Sequence, residues 1–229
     1  MAETNSGSRV SMTHLILVPS VITLAVTILR LVGELNNWSG FWFSREAGGG
    51  GSPIGISWLV PIFGIYFAMK LARMGEGPSS VGRAIGFAFL GLAVFFAIFA
   101  LAFGLQAIFK AGNLGFLGMM TVASVAAILV VRNAWPVLFK TLLAYGFAAR
   151  IPVAIVMLIA IYKNWGTHYD VPPPGEFPAM HWFMKWVLIG ALPQMFLWIA
   201  FTIIIGLLFG GIAIALFHKG KQGSEAVHA

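Results

Sequence analysis

Six long apolar runs separated by short polar breaks set the terms on which this chain can fold. They fall at about residues 12–35, 54–72, 81–109, 115–131, 136–162 and 193–217. A helix needs about 20 predominantly apolar residues to cross a bilayer, so each run reads as a transmembrane helix. Only 9% of the 229 residues are charged, against roughly a quarter in an average soluble domain. The expected fold is therefore an all-α integral membrane protein, a bundle of about six transmembrane helices kinked at its prolines. A polar tail (1–11) precedes the single membrane domain (12–217), and a basic tail (218–229) follows it. No small-x-small cleavage site follows the first run, which ends in Arg30 and Glu34, so it reads as a retained span.

The least comfortable residue lies between Trp135 and Trp165, where Arg150 is the one charge near the middle of a long apolar run. A charge at the bilayer centre costs at least ~2.5 kcal/mol on insertion scales, which calls for a partner. No other span carries an acid at comparable depth, since Glu34 sits near the end of the first span. Freed carbonyls around Pro152, the amides Gln194 and Gln106, or hydroxyls are the candidate partners. A guanidinium without a carboxylate also suits an oxyanion, which makes Arg150 and Gln194 candidate binding residues for an anionic ligand or a lipid headgroup.

The first span has one polar line. Ser20, Thr23, Thr27, Arg30 and Glu34 follow at spacings of three, four, three and four, which puts all five on one stripe of a helix. Polar groups turn away from lipid, so the stripe should face other helices or a hydrated cavity. Arg30 and Glu34 are an i,i+4 pair able to satisfy each other. Packing elsewhere is expected from small-x-x-x-small pairs, Gly82/Gly86, Ala93/Ala97 and Ala100/Gly104 in the third span and Gly206/Gly210 in the sixth.

Between the spans, the glycine run 48–51 reads as a flexible linker, since no phosphate-loop pattern surrounds it. After Lys163 comes a polar segment with three consecutive prolines. The stretch His181 to Trp186 then has the character of a short interfacial segment before the last span, with Pro193 expected to separate the two. His168, Asp170 and His181 supply zinc-ligand residue types, in spacings that match no compact ligand pattern. His14 and His218 read as ordinary span-end histidines rather than haem ligands, and no cofactor is expected. The absence of cysteine excludes thiolate sites and cysteine nucleophiles.

The net charge of +7 does not point to nucleic acid, because the fourteen Lys and Arg stand singly at the ends of apolar runs. Across six spans, Arg9, Lys70, Arg73, Arg83, Arg132, Lys140, Lys219 and Lys221 fall on the amino-terminal side. Arg30, Arg45, Lys110, Lys163 and Lys185 fall on the other. That bias puts both termini in the cytoplasm of a bacterial inner-membrane protein. The leading functional expectation is transport or channelling of a small polar or anionic solute, with the stripe and Arg150 along the route. A non-catalytic assembly or scaffold subunit is the alternative, and a lipid-modifying membrane enzyme the third. The expected partners are the lipid bilayer and either further copies of the chain or a larger membrane complex.

Overall fold

The computed structural model describes residues 11–49, 51–109, 113–175 and 177–217, the side chains of 106–109 and 113 excepted. Outside it lie most of the polar tail, the whole basic tail with His218, Glu176, the Gln106 side chain, and the cations Arg9, Lys110, Lys219 and Lys221. Among the described residues six helices are long and apolar enough to cross a membrane, and there is no strand. They are α1 (Met12–Leu35), α2 (Leu59–Arg73, led in by the tight turn Ile56–Trp58), α3 (Val81–Phe109), α4 (Asn113–Val131), α5 (Pro136–Lys163) and α6 (Trp182–Phe217). The protein is a polytopic membrane protein built as an all-α bundle.

The last span departs from the expected boundary. Pro193 lacks an N–H and its ring crowds the preceding turn, yet the helix runs through it. Two widened π turns, Trp186–Ala191 and Pro193–Leu197, flank the ring and absorb the mismatch. Trp182–Lys185 is consequently the first turn of α6 rather than a separate segment. At 36 residues α6 is about 50 Å long, well beyond the roughly 30 Å of hydrocarbon it crosses.

α6 is also the most buried span and the hub of the bundle, with α2, α3, α4 and α5 all packed on it. α1 leans on the outside of α5. Close approach to α6 depends on glycine, as the Gly206/Gly210 spacing leads one to expect. A Cβ built on Gly64 of α2 would lie 2.6 Å from both the Cα and the O of Gly206, and one on Gly210 would lie 2.9 Å from Gly64 O. Backbone cannot yield as a side chain can, so Gly64→Ala forces α2 off the hub. A loss of about 1–3 kcal/mol is expected from such overpacking. It is read as a lower melting temperature in detergent than that of Gly118→Ala, where a Cβ meets open space.

In α3 the structure corrects the expectation. Ala84 and Ala88 are fully buried, and Gly91 takes the side chains of Val131 and Ile204. Gly82, Gly86 and Gly104 have nothing within 4 Å, and Ala93, Ala97 and Ala100 are exposed, so those pairs face outward. α3 is apolar all round, and the bulk presented by α4 and α6 decides which small-residue row turns in.

The core is in two parts. The larger runs from Leu15, Trp135 and Leu138 through Phe67, Leu142 and Tyr145 to Ile199 and Ile203, filling the half toward the amino-terminal side. The smaller gathers Val153, Met157, Ala160 and Tyr169 near the opposite face. Arg150 lies at the seam, midway along α5.

Candidate functional site

The stripe on α1 is buried, as its spacing requires. Thr23, Thr27, Arg30 and Glu34 face the protein, and Pro19 completes the line. Ser20 sits at its edge, half-buried, with an Oγ that has no hydrogen-bond partner. Thr23 donates to Pro19 O at 2.8 Å and Thr27 to Thr23 O at 2.9 Å, the back-bonding by which hydroxyls satisfy themselves within a helix. Because the Thr23 proton is committed, the Tyr145 hydroxyl donates to Thr23 Oγ1, at 2.8 Å, and bolts α5 to α1.

Above these residues the stripe becomes a latch for the loops. Arg30 Nε donates to Glu34 Oε1 at 2.8 Å, Nη1 to Ile54 O at 2.8 Å, and Nη2 to Gly49 O at 3.2 Å and Ser44 O at 3.4 Å. The chain at Ser44, Gly49 and Ile54 is thereby folded back over the end of α1. Gly49, at φ 85° with a notional Cβ 2.6 Å from Arg30 Nη2, is a place only glycine fits. The glycine run, read from sequence as a flexible linker, is at this point part of the guanidinium's cradle.

Glu34, fully buried, holds the second loop as well. Its Oε2 accepts from the His168 backbone N–H at 2.9 Å, and Oε1 lies 2.5 Å from His168 Nδ1. The loop reaches it because Asn164 ends α5 in the left-handed conformation, φ 51°, and turns the chain back. Arg45 adds a cross-tie, donating to Gly166 O at 2.7 Å, to Trp165 O at 3.3 Å and to Asn37 Oδ1. The two loops thus form one cap.

The residues proposed as zinc ligands are occupied separately. Asp170 accepts from the backbone N–H groups of Gly166 and Thr167 and from the Thr167 hydroxyl, at 2.7–2.8 Å. His168 serves Glu34, and His181 is exposed beside Trp182. Among the described residues no three His, Cys, Asp or Glu side chains come together as metal ligands.

Burial, the largest influence on His168, pulls its imidazole below the ordinary histidine range. The hydrogen bond to Glu34 pushes it up, Arg30 down, and Asp170 slightly up. The native state therefore holds His168 neutral where the unfolded chain would already bind a proton. Its contribution is complete above about pH 6.5, declines as the unfolded chain protonates below that, and is lost as pH falls through the depressed native value. Melting temperature in detergent should drop on acidification from pH 7 to 5, and His168→Gln should flatten that slope.

Beneath the cap is a cavity of about 580 Å³. His168, Tyr169, Pro173, Phe177, Gly48 and Ile56 roof it, while Arg150, Gln194 and Trp198 form its inner end. Thr27 and Arg30 line it too, whereas Ser20, Thr23 and Glu34 do not. Arg150 is 3% exposed. Nη1 reaches Gln194 Oε1 at 3.5 Å, the outer limit of a hydrogen bond, and Nε has no partner. The guanidinium carbon lies 4.5 Å from the centre of the Trp198 ring, a cation–π contact. Among the described residues the carboxylate of Glu34 is engaged by Arg30 and by the His168 ring, and no carboxylate pairs with Arg150.

Sequence reasoning found Gln194 as a partner and missed Trp198. The two are four apart in the last apolar run, whose periodicity does not say which face meets α5.

The cavity therefore has a buried cation at its inner end with donors to spare, and a packed core behind it. An oxyanion placed there gains charge-assisted hydrogen bonds without displacing a resident carboxylate. No protein-family model, curated protein or solved structure is detectably similar to this chain. What the described residues show is a polytopic membrane protein with six helices able to span a membrane and a cavity whose inner end is an arginine without a carboxylate partner.

Proposed function

We propose that this protein is a membrane carrier for an anionic solute, which it binds at Arg150 beneath the cap. The observation that carries the reading is the buried guanidinium at the inner end of a 580 Å³ cavity, with Nε unpartnered and only a long bond to Gln194. A volume of this size falls in the roughly 300–1,000 Å³ range of small-molecule sites. Desolvating an arginine without a counter-ion is costly, and a ligand anion would supply the missing charge. In this reading the termini are cytoplasmic, the cap faces outward, and the core around Phe67, Leu142 and Tyr145 is the closed gate on the inner side.

The test is exchange of labelled carboxylates and inorganic phosphate across reconstituted vesicles, paired with thermal stabilisation of the purified protein by the same anions. Saturable exchange that Arg150→Met abolishes supports a carrier. Stabilisation without exchange would reduce the reading to an anion-binding membrane protein. If no anion shifts the wild type, the anion site itself is lost.

A further inference from the structure

The cavity is bordered on two sides by helices that do not pack extensively on each other. Val26 of α1 forms one side, and Phe116, Leu117 and Met120 of α4 form another. α1 is held chiefly by α5, and α4 by α3 and α6, while α1 with α4 and α4 with α5 are not among the well-packed pairs of the described residues. The gap between α1 and α4 lies within the spans, near the capped face, where its surroundings are acyl chains rather than water. The walls contributed by α5 and α6 are apolar around Arg150, with Val153 and Met157 on α5 and Ile189 and Leu197 on α6, while α1 adds Thr27 and Arg30 beside Val26. Arg150 is half-way along a 28-residue helix, so it stands about 20 Å from either helix end.

From this geometry we infer that the ligand is a single-chain amphiphilic anion, a long-chain carboxylate or alkyl phosphate monoester. Its head seats on Arg150 and Gln194, and its tail leaves between α1 and α4. This rests on the anion-binding reading above and names the class of anion. A small hydrated oxyanion would use only the inner end of the cavity and would leave the apolar walls and the gap unfilled. An amphiphile matches both parts: the cation takes its oxyanion, and the walls and gap take its chain, already dissolved in the adjoining leaflet. The volume of about 580 Å³ accommodates one chain rather than the two of a diacyl lipid.

The experiment uses the full chain in lipid nanodiscs with a hexadecanoate carrying a photoactivatable diazirine at its tail end, and the matching hexadecanol as a neutral control. Labelled peptides are mapped by mass spectrometry, and folding is checked by size exclusion. Labelling of wild type by the carboxylate should concentrate on the peptides holding Val26 and Phe116 to Met120. It should fall at least tenfold in Arg150→Met, recover in part in Arg150→Lys, and compete with unlabelled hexadecanoate and hexadecyl phosphate. The hexadecanol probe should label wild type and Arg150→Met alike. Labelling spread evenly over lipid-facing residues, or unchanged by Arg150→Met, overturns the inference. If acetate or inorganic phosphate stabilises the protein through Arg150 and long-chain anions do not bind, the anion site stands and the amphiphile assignment fails. If no anion of either kind acts through Arg150, both fail. Competition by phosphatidic acid as strong as that by hexadecanoate overturns the single-chain assignment.

Discussion

Replacing Glu34 by alanine is expected to be the most destabilising single change in this protein, at about 3–5 kcal/mol, the range for breaking one side of a buried ion pair. The carboxylate is fully buried and satisfies three donors at once: Arg30 Nε, the backbone N–H of His168, and the His168 ring. Its removal leaves Arg30 charged and buried without a counter-ion, and leaves a backbone amide from a distant loop unpaired. The damage should appear first in the cap, because Arg30 holds the carbonyls of Ser44, Gly49 and Ile54 only while its own position is fixed. A thermal melt in detergent measures the loss. Limited proteolysis should show cleavage between Ser44 and Ile54 at temperatures where the wild type is resistant. A melt unchanged from wild type would show that the Glu34 network adds nothing to the fold. Glu34→Gln should fall between the two, since an amide oxygen accepts one bond but supplies no charge.

Arg150→Met is expected to separate stability from binding. With no carboxylate partner and an unpartnered Nε, Arg150 contributes desolvation cost that its contacts with Gln194 and Trp198 offset only in part. Replacing a poorly compensated buried charge with an apolar residue of similar length is commonly neutral or stabilising by about 1–4 kcal/mol. The unliganded variant should therefore melt at or above the wild-type temperature. Its affinity for an anion should fall by the equivalent of about 2–5 kcal/mol, the usual result of deleting one side of a buried charged hydrogen bond. Titration calorimetry alongside the melt reads both quantities on one preparation. A strongly destabilised Arg150→Met would instead make the guanidinium a structural tie between α5 and α6, and would remove the ground for a ligand.

These two arginines were legible to different degrees. Arg30 and Glu34 are four apart on a helix, so their pairing follows from helical spacing alone. Their third partner, His168, is 134 residues from Glu34. It arrives only because the left-handed turn at Asn164 redirects the chain out of α5 toward the end of α1. Arg150 stands out in the sequence as a charge with no acid at its depth. Its contact with Trp198 does not, since the last run is apolar on every side and its periodicity names no face toward α5. The widened turn Pro193–Leu197 leads from Gln194 to Trp198, and both side chains meet Arg150. The zinc expectation rested on residue types in one loop, and hydrogen bonding within and beneath that loop had already engaged His168 and Asp170.

What the sequence determined by itself is the solvent and the secondary structure. Runs of about twenty apolar residues have a favourable place only in a bilayer, and there a helix satisfies its backbone internally, whatever its neighbours are. The stripe on α1 was likewise fixed locally, because polar side chains among apolar ones can turn only one way. Only the tertiary structure decided which side of α3 packs, that α6 is the hub, and that α1, α4, α5 and α6 together line a cavity ending at Arg150. An apolar helix in an apolar solvent gains little from burying one face rather than another. The choice falls to shape, to glycines that let backbones touch and bulky side chains that fill what is left, and shape complementarity between distant segments is not written in the periodicity of either one.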